Sequence, residues 1–250
     1  MTKINEIDVY DKSKVSIDTG EIEEWDDAIF PNVIRKKLVA LIKVRLQSAN
    51  PKVILDYGCG GGWLSALLSE WGFNVVGVDI SALLSKNAKF VCPKIDFVVC
   101  DGERLPFRNA VFDYVVGISV LHHLNLKRSC SELKRILINK ADFIFEEPNL
   151  LNPFSAIGRE LFPMKPHTKG EKPFIPRHLK TALRESGFCF REIRYLFFMA
   201  FPFSRLFKIA NMKPKIWMVK LVFLLENMTE KTPLIRHLNS SMVIVGKIRK

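Results

Sequence analysis

Between Val53 and Phe145 the chain alternates short, unbroken apolar runs with longer stretches of helical periodicity. The runs are Val53–Leu55, Val75–Val78, Phe97–Val99, Tyr114–Ile118 and Phe143–Phe145. The helical stretches fall at 63–71, 81–91 and 127–139. Strands that are apolar at consecutive positions have no solvated face, so they predict a parallel sheet covered on both sides. Right-handed crossovers then make the architecture α/β, with a doubly wound, mostly parallel sheet. Ahead of the alternation, Pro31 opens an apolar run through Ile34, Leu38, Leu41, Ile42 and Leu46, a predicted helix ending near Asn50-Pro51. Beyond it, residues 148–175 hold five prolines and predict an irregular loop. Pro176–Ser186 predicts a helix stopped by Gly187, followed by a strand over Phe188–Phe198. Residues 203–228 predict helix in two pieces broken by Pro214, and Ser241–Ile248 a final strand.

Composition adds boundaries to this picture. Of the 250 residues, 48% are hydrophobic and 26% charged, which excludes wholesale disorder. The five cysteines are odd in number and include no C-x-x-C pair, as expected for reduced thiols and no zinc site. A polar, acid-containing start argues against a signal peptide, and no apolar run is long enough to span a bilayer. The expected location is cytoplasmic. Charge is divided unevenly: residues 1–150 hold 19 Lys and Arg against 20 Asp and Glu, whereas residues 151–250 hold 19 against 6. The whole positive excess therefore lies in the last hundred residues, together with 11 of the 19 phenylalanines. Such an excess suits an anionic partner there, with a solubilising surface as the plain alternative.

The segment richest in chemistry is Val53-Ile54-Leu55-Asp56-Tyr57-Gly58-Cys59-Gly60-Gly61-Gly62-Trp63, a buried strand running into a glycine turn and a helix. Glycine permits positive φ and carries no Cβ, so a ligand can lie against the backbone at the helix start. The spacing does not make a dinucleotide fingerprint, because neither Trp63 nor Ser65 supplies its last glycine. The pattern present is acidic-x-G-x-G-x-G, through Asp56, Gly58, Gly60 and Gly62. No phosphate-binding G-x-x-x-x-G-K-[ST] loop occurs.

This segment resembles the first motif of class I S-adenosylmethionine-dependent methyltransferases, in particular their type 11 branch. Three further segments match in order. They are Val75–Ser81 with Asp79, then Cys100-Asp101-Gly102-Glu103-Arg104-Leu105-Pro106-Phe107, and Phe112–Val116 followed by Ser119-Val120-Leu121-His122-His123-Leu124. The resemblance covers roughly residues 50–150. It implies a seven-stranded sheet of order 3-2-1-4-5-7-6, with the last strand antiparallel. It also implies S-adenosylmethionine as cofactor, held around Asp56, Gly58, Cys59, Gly60, Gly62, Asp79, Ile80, Asp101, Gly102, Glu103 and Ser119. Asp79 ends the second strand, where a carboxylate accepts both hydroxyls of a ribose; the alternative is a cap for the helix at Ser81. The resemblance places Asp101 on the adenine amino group, against an alternative role in an Asp-Gly turn. Asp56 is expected to act indirectly, and Cys59 to be a small residue that fits, not a nucleophile.

The chain is expected to form a single methyltransferase domain. Residues 1–50 would be an N-terminal helical lid, with Tyr10 and Trp25 as candidate contacts. Residues 51–147 would be the cofactor-binding core, and 148–250 an acceptor-side cover carrying the last two strands. Methyl transfer from a sulfonium asks the protein mainly for alignment and exclusion of water. For an oxygen or nitrogen acceptor a base would assist, and His122, His123, Glu146 and Glu147 are the candidates. Two other classes compete: a non-catalytic cofactor-binding partner subunit and a dinucleotide-dependent oxidoreductase. The expected acceptor is a small molecule, a lipid-linked compound or a sugar. Nucleic acid is disfavoured because Glu147-Pro148-Asn149-Leu150 fails the N-P-P-[YF] pattern. No metal is expected. Residues 203–225, with Lys213, Lys215 and Lys220, are either core or an interfacial stretch on an anionic membrane.

Overall fold

The computed structural model describes residues 29–155, 173–199, 203 and 215–250. Its elements run α1 (Ile29–Ala49), β1 (Val53–Tyr57), α2 (Trp63–Glu70), β2 (Asn74–Asp79), α3 (Ala82–Val91), β3 (Asp96–Val99) and β4 (Phe112–Ile118). They continue through a 3₁₀ turn (Leu121–His123), α4 (Leu126–Ile136), β5 (Leu137–Pro148), α5 (Pro176–Glu185), β6 (Phe188–Leu196) and α6 (Ile216–Lys231). A second 3₁₀ turn (Arg236–Leu238) leads into β7 (Ser241–Ile248).

One seven-stranded sheet has the order β3-β2-β1-β4-β5-β7-β6. The pairs from β3 to β5 are parallel, and β7 lies antiparallel between β5 and β6. Consecutive strand residues point to opposite faces, and here both faces are apolar and covered. Leu55, Phe143, Phe145 and Ile244 pack on one side with Leu133 and Ile136 of α4 and Leu179 and Leu183 of α5. Ile54, Ile144, Val243 and Val245 pack on the other with Leu38, Ile42 and Leu46 of α1 and Leu64 and Leu68 of α2. Each fully buried aliphatic or aromatic side chain contributes about 1.5–3 kcal/mol.

Three boundaries differ from the sequence reading. The helix predicted to reach 139 ends at Ile136, because Leu137 is fully buried and pairs with Phe112 at the start of β5. The irregularity is absorbed between Phe112 and Tyr114 and at Lys140, whose φ is 65°. The strand predicted to run to Phe198 stops at Leu196, because Phe197 takes φ 65° and the N–H groups of Phe198 and Met199 donate to Glu226 of α6. The helix predicted over 203–228 is continuous from Ile216 to Lys231. Its expected first piece over 204–214, Lys213, and the lid contacts of Tyr10 and Trp25 lie outside the described residues. Within the proline-rich loop, Asn149 forms a parallel bridge with Phe174.

Candidate functional site

Where β1 ends at Tyr57 the chain turns sharply, with Gly58, Gly60 and Gly62 at φ 75°, 52° and 81°. The N–H groups of Gly58 and Cys59 both donate to the Val78 carbonyl at 2.9 Å, tying the turn to β2. Gly60 N–H donates to Asp79 Oδ2 at 2.8 Å. Packing dictates two of these glycines: a Cβ on Gly58 would sit 2.5 Å from Val120 Cγ2, and one on Gly62 2.7 Å from Ala88 Cβ. Gly60 differs, since a Cβ there would meet nothing within 4 Å. It is the glycine that leaves backbone bare toward an open cavity of about 180 Å³.

That cavity lies over the carboxyl ends of β1, β2 and β4. Ile80, Leu84, Val120 and Leu124 supply apolar wall, and Asp79, Ser119 and His123 line it as well. Asp79 Oδ1 also accepts from Ser81 N–H at 2.9 Å. The cap of α3 is Ser81 itself, whose hydroxyl accepts from Leu84 N–H at 3.2 Å. Burial raises the Asp79 carboxyl, opposed by the N–H groups of Ser81, Gly60 and Ile80 and by the nearby His123. A carboxylate has about four acceptor positions, and three N–H donors leave Asp79 about one for a hydroxyl of a ligand. Tyr57 closes another wall, donating its hydroxyl to the Gly102 carbonyl at 2.6 Å. A Cβ at Gly102 would collide with that hydroxyl at 2.7 Å, which explains the glycine there.

Asp56 lies beneath the turn, buried, and accepts from Ser65 Oγ at 2.5 Å. Cys59 is buried too, and burial pushes its thiol strongly upward, away from the thiolate. Asp101 Oδ1 accepts from Glu103 N–H at 2.8 Å, while Glu103 Oε1 accepts from Asn125 N–H at 2.8 Å, just before α4. Their neighbours Cys100 and Gly102 line the cavity.

The opposite rim comes from β4 and β5. Ser119, at φ 52°, donates its N–H to the Glu146 carbonyl at 2.7 Å and its hydroxyl to Glu146 Oε2 at 2.9 Å. Glu146 is buried, also accepts from Ser241 Oγ, and its carboxyl is raised by that burial. Glu147 is fully buried and gathers the next turn around itself. Its Oε1 accepts from the N–H groups of Val120 at 3.0 Å and Leu121 at 2.7 Å. Its Oε2 accepts from His122 N–H at 3.3 Å and lies 2.8 Å from His122 Nδ1. The ring centroids of His122 and His123 lie 3.9 Å apart with the planes tilted by 40°, so His123 packs on a clamped neighbour.

The structure therefore brings Gly58, Gly60, Asp79, Ile80, Gly102, Ser119 and His123 onto one cavity. Asp56, Cys59, Gly62, Asp101 and Glu103 adjoin or nearly adjoin those lining residues along the chain, and His122 and Glu147 turn toward each other. The wall residues Tyr57, Val78, Leu84, Cys100, Val120 and Leu124 were missed from sequence. The available signal was position: most sit at the carboxyl end of a strand or in the turn after it. Among the described residues no group of three or more His, Cys, Asp or Glu is arranged to hold a metal ion.

A nucleoside fits this arrangement, with an acid for a ribose hydroxyl, an apolar slot for a base and bare backbone at Gly60. Comparison with known proteins agrees. Residues 55–145 match the family model described as a methyltransferase domain. An uncharacterized protein of Methanocaldococcus jannaschii is 31% identical over 56% of this chain and 63% of its own length. A ubiquinone biosynthesis O-methyltransferase of Pelagibacter ubique is 30% identical over 54% of this chain and 63% of its own. The chain spans less than two thirds of these relatives. Other matches, over 34–42% of the chain, include rRNA and tRNA methyltransferases. The crystal structure of a SAM-dependent methyltransferase from Archaeoglobus fulgidus has the same fold, with a TM-score of 0.55, 23% identity and 83% and 93% of the two chains covered. Residues 55–145 match a methyltransferase domain, and with the glycine turn and the strand order this makes the chain similar to the class I S-adenosylmethionine-dependent methyltransferases.

Proposed function

We propose that this protein transfers a methyl group from S-adenosylmethionine to a small-molecule, lipid-linked or sugar acceptor. The observation that carries the reading is the junction of Asp79 with Gly60 N–H on the same cavity as Ser119 and His123. S-adenosylmethionine supplies an electrophilic methyl group on a positively charged sulfur, so no covalent catalyst is required. The chain's own work is binding and alignment. Asp79 takes a ribose hydroxyl, Ile80, Leu84 and Leu124 enclose the base, and Gly60 leaves room for the donor against the backbone. Asp56 steadies the turn from below through Ser65, and Asp101 orders the loop that presents Gly102.

His123 is the base of choice for an oxygen or nitrogen acceptor, because it lines the cavity close to Asp79. Glu147 and His122 are positioning residues in this reading, holding the turn that carries His123. Residues 148–250 supply the acceptor-side cover, and the protein works in the cytoplasm. RNA as acceptor is the second reading, favoured by the excess of 19 Lys and Arg over 6 Asp and Glu in residues 151–250 and by the RNA methyltransferases among the relatives.

Two measurements test the proposal. Isothermal titration with S-adenosylmethionine and with NAD should give binding to the first alone; binding to NAD alone overturns it. Incubation with methyl-labelled donor and separate metabolite, lipid and RNA extracts should label the first or second. Label in RNA alone installs the second reading, and donor binding with no label in any extract assigns a non-catalytic partner subunit.

A further inference from the structure

Helix α6 has two different apolar faces. Val222, Glu226 and Thr229 are buried, and Met218 and Val219 pack on the α1 side of the sheet. The opposite face carries Trp217, Leu221, Leu224 and Met228, spaced as one helical stripe and 60%, 46%, 58% and 57% exposed. A second exposed row beside it holds Lys220, Asn227 and Lys231, and exposed Lys215 precedes the first turn. No acid lies on this outer face. Glu226 is buried against the N–H groups of Phe198 and Met199, and Glu230 is paired with Lys37 at 2.5 Å. The stripe continues past the helix into Leu234, which is 89% exposed.

We propose that the outer face of α6 docks the protein on the surface of an anionic lipid leaflet. A Trp, three long aliphatic side chains and a flanking row of cations are what a helix lying in a bilayer interface presents. The described helices contain none long and apolar enough to cross a membrane, so the contact is peripheral. A second copy of the chain is a poorer occupant, since pairing the face with itself sets lysines against lysines with no acid to receive them. RNA is poorer too: its bases stack on aromatic rings, and this stripe holds one ring among three aliphatic chains. The C-terminal end of α6 leads through Arg236–Leu238 into Ser241, which pairs with Pro148 at the carboxyl end of β5. That end of the sheet also carries the cavity-lining residues that follow β1, β2 and β4. The proposal stands independently of methyl transfer.

The experiment is cosedimentation of the whole chain with phosphatidylcholine vesicles, with and without about one third phosphatidylglycerol, at low and moderate salt. The expected result is binding to anionic vesicles at low salt that weakens as salt rises. Lys220→Glu with Lys231→Glu, and separately Leu224→Ser with Met228→Ser, should each lower that binding by roughly tenfold or more. All four side chains are exposed, so circular dichroism and melting should stay those of the parent protein. Absence of binding to anionic vesicles at low salt overturns the proposal, as does binding that neither double variant weakens. A dimer abolished by Leu224→Ser assigns the face to a second copy instead. RNA binding that requires Lys220 and Lys231, without vesicle binding, assigns it to nucleic acid.

Discussion

Burial beneath the glycine turn raises the Asp56 carboxyl from 3.8 to about 7, with the Ser65 hydroxyl opposing and Asp79 reinforcing. The folded protein therefore keeps a proton there that the unfolded chain releases. Its contribution to stability is complete below about pH 4 and is lost as pH rises through about 7. A rise of about three units corresponds to roughly 4 kcal/mol between those limits. Urea titrations should show stability falling from mildly acidic to neutral pH, with Glu146 acting in the same direction, and Asp56→Asn should flatten the fall. An unchanged slope in that variant would remove Asp56 as its source. The glycines make a paired prediction. Gly60→Val should weaken donor binding by about a hundredfold or more while costing about 1–3 kcal/mol of backbone strain at φ 52° and no steric clash, because its Cβ meets no protein atom within 4 Å. Gly58→Ala should cost about 2 kcal/mol or more, since its Cβ would press on Val120 at 2.5 Å. Titration calorimetry beside denaturation separates the two; donor affinity preserved in Gly60→Val would misplace the donor.

The turn between β4 and α4 is held by a side chain from β5. Glu147→Gln puts an amide where a carboxylate received three backbone N–H groups, leaving at least one buried donor unpaired. The expected cost is about 1–3 kcal/mol. If Glu147 positions His123, kcat should fall while donor affinity stays near its parent value; a fall in donor affinity alone would place Glu147 in the donor site instead. In β7, a Cβ on Gly246 would lie 2.1 Å from the Cys189 carbonyl and 2.7 Å from the Phe143 ring. Backbone on one side and a packed core ring on the other leave no direction for relief. Gly246→Ala should therefore destabilise by roughly 3 kcal/mol or more, read from denaturant midpoints.

For the molecule as a whole, donor binding and folding are linked by mass action. S-adenosylmethionine at about a hundred times its dissociation constant should add roughly 2.7 kcal/mol of stability. In a chain of this size that raises the melting temperature by roughly 5–10 °C. NAD at the same concentration should leave it unmoved. A shift with NAD alone would return the cavity to the dinucleotide-dependent reading.

Local chemistry made the strands, the glycine turn and Asp79 legible without coordinates. Consecutive β-branched residues mark a strand buried on both faces, glycine spacing marks a turn bare of Cβ, and an acid ending a strand needs no distant partner to be noticed. The strand order came from the resemblance of these motifs, not from periodicity, which says nothing about which strands are neighbours. Contacts remote in sequence set the rest. Glu147 reaches a turn 25 to 27 residues earlier, so its role as a clamp has no signature near residue 147. His122 and His123 are adjacent and chemically alike, and only the 3₁₀ turn gives one to Glu147 and the other to the cavity. Tyr57 meets Gly102 across 45 residues. The α4 end at Ile136 was set by the pairing of Leu137 with Phe112, which outweighs local helix propensity. Residues 216–225 are apolar almost throughout, so pattern alone could not divide them; burying Val222 and Glu226 against the sheet is what leaves Trp217, Leu221 and Leu224 outside.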